Sequence, residues 1–176
     1  MKMPARIPTS TAMVRAAILW LVGLQSSVAQ GISEQQLVGA WRLVHTEMRL
    51  PDGRTFPVPN YGPDPHGYIM YDRSHMMCVY LAVGEPGKLP PAEFLTQPAI
   101  PAAYCARWSL EKGGSIVSHE VLVSNDPGIT GPPLRRKLTL AGDTLFIRRV
   151  PTPAGMADYV LQFVRVHDAP RLPAVR

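Results

Sequence analysis

The amino-acid sequence predicts an all-β protein: an antiparallel, up-and-down β-barrel of about eight strands, led by one short helical turn. Short runs of alternating apolar and polar residues recur along the chain, the pattern of strands with one buried face. Turn chemistry separates them, at Pro51-Asp52-Gly53-Arg54, Lys112-Gly113-Gly114 and Ala141-Gly142-Asp143. Many short strands with almost no helix favour a closed barrel, which leaves no exposed sheet edge.

The 176 residues suffice for one domain with a sizeable core. Residues 1–29 have the pattern of a secretory signal peptide: basic residues at Lys2, Arg6 and Arg15, an apolar run from Ala16 to Leu24, and small residues at Ser27-Val28-Ala29. The apolar run is short of the roughly 20 residues a spanning helix needs, so no stable membrane anchor is expected once the leader is cleaved. A secreted or periplasmic location follows as an expectation. The formal charge is +5, and removal of Lys2, Arg6 and Arg15 brings it to about +2. That balance, without a basic stripe interleaved with aromatics, argues against nucleic acid as a partner. The runs Arg135-Arg136-Lys137 and Arg148-Arg149 read as solvated strand faces or strand ends.

Residues 30–36 form a lead-in to a domain spanning residues 37–167. Ser33 before Glu34-Gln35-Gln36 reads as a helix N-cap opening one short turn. The first strand follows, with Trp41, Leu43, His45 and Glu47 on one face and Arg42, Val44, Thr46 and Met48 on the other. After the turn at Pro51, the prolines at 57, 59, 63 and 65 forbid a central strand. Tyr68–Tyr71 and His75–Ala82 read as a hairpin joined by Asp72-Arg73-Ser74. A proline-rich interruption runs from Gly84 to Pro101, with a short helix expected at Pro90–Phe94. Five strands are then expected at Tyr104–Leu110, Ser115–Val123, Leu134–Leu140, Thr144–Val150 and Tyr159–Val166. Pro151–Gly155 reads as a connection, and residues 168–176 as a frayed tail.

The two cysteines, Cys78 and Cys105, meet an oxidising compartment if the leader functions. The readings open to them are one disulfide, or two thiols packed as small hydrophobes.

Several separated segments carry a resemblance: Leu37-Val38-Gly39-Ala40-Trp41-Arg42-Leu43-Val44, then Tyr61 to Tyr71 with His75-Met76. Further on come Tyr104, Ile116-Val117-Ser118-His119 before Asp126-Pro127, and Arg135 to Leu145. Together they resemble the lipocalin-like domain family of bacterial and fungal proteins, over roughly Leu37 to Val166. The resemblance implies a lipocalin-like barrel whose interior holds a small hydrophobic or amphipathic molecule. It implies that Gly39 and Trp41 form the barrel base, with Arg165 packed over the indole. The chain departs from the family between Gly84 and Pro101, where prolines stand in place of an acidic, alanine-rich helix.

With Trp41 inward, the alternation carries His45 and Glu47 inward as well. His119, on another strand at a position the resemblance marks as typical, joins them, and Tyr80, Arg107 and Tyr159 are candidates for the same volume. These six are the expected ligand-binding residues, a polar end to an apolar cavity. A second reading makes His45, Glu47 and His119 the acid–base groups of an isomerase or cyclase. A third is a filled barrel acting on a protein partner through its surface. No metal or other cofactor is expected: the five histidines show no ligand spacing, and Met76-Met77 point to opposite sides of a strand. No glycine-x-serine-x-glycine elbow marks a hydrolase.

Overall fold

Ser33 caps a short α-helix reciprocally. Its hydroxyl accepts the Gln36 amide at 3.3 Å while the Gln36 side chain accepts the Ser33 amide at 2.9 Å, starting α1 (Glu34–Leu37). The computed structural model describes residues 31–85, 87, 89–90, 102–129, 131–150 and 157–167. The leader expected at residues 1–29, the helix expected after Pro90, the expected Pro151–Gly155 connection and the expected tail lie outside these.

Nine strands follow among the described residues: β1 (Gly39–Arg49), β2 (Thr55–Phe56), β3 (Gly67–Tyr71), β4 (Met76–Leu81), β5 (Ala102–Leu110), β6 (Ile116–Ser124), β7 (Leu134–Ala141), β8 (Thr144–Arg149) and β9 (Asp158–Arg165). Each pairs antiparallel with its neighbour, in the order β2-β1-β3-β4-β5-β6-β7-β8-β9, and β9 returns to pair with β1. The two-residue β2 is a clip on the end of β1, at Met48 and Arg49. The rest is a closed antiparallel barrel of eight strands. The Pro51 turn runs from Leu50 to Gly53, the Gly53 amide donating to the Leu50 carbonyl at 2.9 Å.

The barrel has a sealed base. Trp41 is fully buried and its indole N–H donates to the Leu37 carbonyl at 2.9 Å, tying α1 beneath the strands. Arg165, directly opposite Trp41 across the β1–β9 seam, lies 4.0 Å over its ring and donates to the carbonyls of Val38 and Gln36. Gly39 leaves that guanidinium room: its φ is +138°, and a Cβ there would stand 2.8 Å from Arg165 Nη1. Leu37, Leu43, Tyr71, Met77, Trp108, Val117, Leu145 and Phe163 pack above.

Two sequence expectations about local geometry are corrected. The alternation in β1 does not run through: a bulge between Leu43 and His45 inserts one residue against β9, which moves every later side chain to the other face. Thr46 and Met48 are therefore buried, while His45 is exposed and Glu47 lies outside, paired with Arg49 at 2.8 Å. The β3–β4 hairpin turns through four residues rather than three. His75 takes a left-handed conformation (φ 61°), and Asp72 Oδ1 accepts the Ser74 and Met76 amides at 2.8 and 2.9 Å.

On the outer face, Cys78 and Cys105 stand directly opposite each other on β4 and β5 with Cα atoms 4.1 Å apart, joined in a disulfide.

Candidate ligand site

From the base upward the inner wall changes character. Tyr71 at the end of β3 and His119 in β6 are almost completely buried, and the His119 ring lies between two phenols. Its Nε2 is 3.1 Å from the Tyr71 hydroxyl and its Nδ1 is 3.0 Å from the Tyr104 hydroxyl. Alternation dictates the meeting: Tyr71 follows Ile69 inward, Tyr104 precedes inward Ala106 and Trp108, and His119 follows inward Val117.

Burial, with a smaller contribution from the Arg136 charge, lowers the His119 pKa to about 3, so the imidazole is neutral at neutral pH. Desolvation, chiefly, raises Tyr71 and Tyr104, and takes Tyr61 to about 12. All four groups are uncharged. A neutral imidazole has one donor and one acceptor nitrogen. The Tyr71 hydroxyl is sealed in with His119 as its partner, and leaving its proton unbonded there would cost about 1–3 kcal/mol. Tyr71 therefore donates to Nε2, Nδ1–H donates to the Tyr104 oxygen, and His119 is not the acceptor of the Tyr104 proton.

Tyr61 reaches that mouth from the loop after β2. The Tyr61 amide bonds to the Val58 carbonyl at 3.0 Å, and the Gly84 amide donates to Asn60 at 3.0 Å, fixing this loop against the chain after β4. Gly62 permits the approach with φ +67° and the Glu85 carbonyl packed where a Cβ would lie. Tyr61 packs on both hydrophobic clusters, the main one and a smaller one of Met48, Leu50, Phe56, Val58 and Ala157.

Arg136 completes the site. It shares a face of β7 with Leu134, Leu138 and Leu140, and it is half-buried. Its charge acts on Tyr61, Tyr71, Tyr104 and His119 alike. Arg149 stands directly opposite it on β8. The expectation that the Arg135-Arg136-Lys137 run is a solvated face is thus corrected at its middle residue.

Of the six expected ligand-binding residues, His119 lies inside and Tyr159 faces in at the mouth, opposite buried Met48, where it is half-buried. Tyr80 is 54% exposed. It points outward because Val79 and Leu81 on either side of it point in. Arg107 points outward between buried Ala106 and Trp108. With His45 and Glu47 turned out by the bulge, the acid–base set of His45, Glu47 and His119 is not assembled. The outer wall instead carries a shallow recess of about 150 Å³ beside the bulge, lined by Arg42, Val44, Asp64, His66 and Tyr68 among others.

A lipocalin-like domain model matches residues 38–158. The chain belongs to the lipocalin-like domain family. Among solved structures it is similar to a lipocalin-like protein from Bacteroides uniformis, at 16% identity and a TM-score of 0.43, covering 74% of this chain and 98% of that one. It is also similar to an uncharacterized protein from Bacteroides eggerthii, at 14% identity and a TM-score of 0.40, covering 72% and 98%. No curated protein matches the chain.

Sequence reasoning missed four residues of this lipocalin-like barrel's inner wall: Tyr61, Tyr71, Tyr104 and Arg136. For Arg136 the signal was present, since Leu134, Leu138 and Leu140 alternate with charged and polar residues and place it on their side. Tyr71 and Tyr104 obey the same rule. Tyr61 sits in a loop, where no periodicity applies.

Proposed function

We propose that this lipocalin-like protein binds a small hydrophobic or amphipathic molecule inside the barrel, entering by the mouth between Tyr61, Tyr104, Arg136 and Tyr159. One observation carries the reading. Side chains that face inward at this end remain partly accessible to solvent, Tyr104, Leu134, Arg136, Tyr159 and Leu161 among them, whereas Trp41, Leu43, Leu145 and Phe163 nearer the base are buried. Partial exposure of inward polar groups at one end of the barrel gives a ligand both access and partners. The combination of apolar walls with a few convergent polar groups is that of small-molecule sites.

Trp108 provides the readout. It is buried among the wall residues, with its ring 5.4 Å edge-on from Tyr71. Titration with a hydrophobic fluorescent dye is expected to saturate at one dye per chain, with energy transfer from tryptophan, and native mass spectrometry should then display a one-to-one complex. Absence of saturable binding, with a clean unliganded mass, would overturn the reading.

The protein is further proposed to be secreted or periplasmic, with residues 1–29 removed as a signal peptide. The pattern of the leader and the Cys78–Cys105 bridge support this. The mass of the protein recovered from its native compartment should begin at Gln30; an intact Met1 would reject cleavage.

A further inference from the structure

The binding reading leaves the polar end of the ligand undefined, and the inner wall specifies it. Resting on that reading, we infer that the ligand is a carboxylic acid with an apolar body, its carboxylate held by Arg136 and Arg149 and accepting a hydrogen bond from the Tyr104 hydroxyl.

The first argument is a contrast between neighbours. Arg135 and Arg148 point outward, and each has a carboxylate: Glu111 at 2.6 Å and Asp158 at 3.2 Å. Arg136 and Arg149, one residue along on the same strands, point the other way and have none within 4.0 Å among the described residues. The Arg136 side chain donates to the Arg135 carbonyl at 3.1 Å, which leaves most of the guanidinium's donors unused. Arg136 is half-buried and directly opposite Arg149, the exposed last residue of β8. Like charges opposite each other across a strand pair are destabilising, and a cation withdrawn from water needs a partner. An anion between the two relieves both costs.

The second argument is the balance of donors and acceptors. The proton order from Tyr71 through His119 ends on Tyr104, whose own proton has no acceptor from that chain. Around the mouth stand two guanidinium groups and phenol hydroxyls; the one buried acceptor on the facing β1 wall, Thr46 Oγ1, takes the Val58 amide at 3.2 Å. A wall rich in donors and poor in charged acceptors selects a head that brings acceptors only. A guanidinium presents a planar fork that matches a carboxylate with two parallel bonds. Leu134, Leu138, Ile147 and Leu161 adjoin this pair on the same inner face, so the head continues into an apolar body.

The test uses the mature chain and three probes with the same tail: dodecanoate, dodecanol and dodecyl phosphate, each titrated below its micellar concentration against tryptophan fluorescence. Dodecanoate should bind about 10- to 100-fold more tightly than dodecanol, the range for a charge-assisted hydrogen-bonded pair. Arg136→Gln should abolish most of that preference while leaving dodecanol affinity within about twofold. Tyr104→Phe should weaken dodecanoate by about fivefold to tenfold. Arg107→Gln, on the outer face, should change neither.

Equal affinity for acid and alcohol, or a preference that survives Arg136→Gln, overturns the carboxylate assignment while leaving a barrel that binds apolar molecules. Tighter binding of dodecyl phosphate than of dodecanoate overturns the choice of head group. Binding of none of the three overturns the underlying reading as well. Should Arg136→Gln fail to fold, the wild-type ratio of acid to alcohol still decides. Arg136→Lys, which keeps the charge and loses the fork, should then give an intermediate preference.

Discussion

His119 shows how one residue can look like a general base and be something else. As a lone histidine in a strand it reads as an acid–base candidate, yet burial takes its pKa to about 3, and both ring nitrogens are engaged by phenols. Its work at neutral pH is to order the protons of Tyr71 and Tyr104. This makes stability depend on pH with a definite sign. The unfolded chain protonates this imidazole below its ordinary value of about 6.5, and the folded chain resists protonation until about 3. Between those values the unfolded state binds more protons, so stability is complete above pH 6.5 and falls as the pH drops toward 3. Urea denaturation at pH 7 and pH 4 should find wild type losing roughly 3 kcal/mol more than His119→Gln over that interval. An equal loss in both proteins would contradict the buried neutral imidazole. At this scale the sequence supplied identity and facing for His119, whereas Arg136 reads as solvated although its alternation with Leu134 and Leu138 turns it inward. The sequence did not supply the company His119 keeps, because Tyr71 comes from β3, 48 residues away, and its meeting with Tyr104 depends on the register across β5 and β6.

Strand positions were largely legible, because alternation and turn residues are local. The expected Thr144–Val150 and the observed Thr144–Arg149 differ by one residue. What defeated the reading in β1 was a single inserted residue. Nothing in Leu43-Val44-His45 marks a bulge, and no glycine sits there; the irregularity is forced by the fit of β1 to β9 across the seam. Because side chains alternate with a period of two, that one residue turned His45 and Glu47 out and brought Thr46 and Met48 in. The disulfide belongs to this scale too. Whether Cys78 and Cys105 meet depends on the β4–β5 register, which pairs them directly. Removing the bridge in a Cys78→Ala/Cys105→Ala double variant should cost about 3–4 kcal/mol on the chain-entropy account of a loop this long. The shift is measurable in the urea midpoint against the oxidised wild type, and the variant should still form the barrel, since the hydrogen bonds of the β4–β5 ladder do not depend on the sulfurs.

Across the whole molecule, closure is what gives the ends of the chain their meaning. Trp41 near the beginning and Arg165 near the end are neighbours only because β9 returns to β1, so the two ends of the chain together seal the base. The Cys78–Cys105 bond adds a second kind of continuity. Residues 78 to 105 form a covalent ring, so one broken peptide bond anywhere within that span leaves a single molecule rather than two fragments. Limited proteolysis in the proline-rich stretch should therefore give one band on a gel without reductant and two bands with it. Two bands without reductant would mean the ring is open. Secured this way, the molecule could lose the integrity of its backbone on one side and still keep every strand in reach of its neighbour.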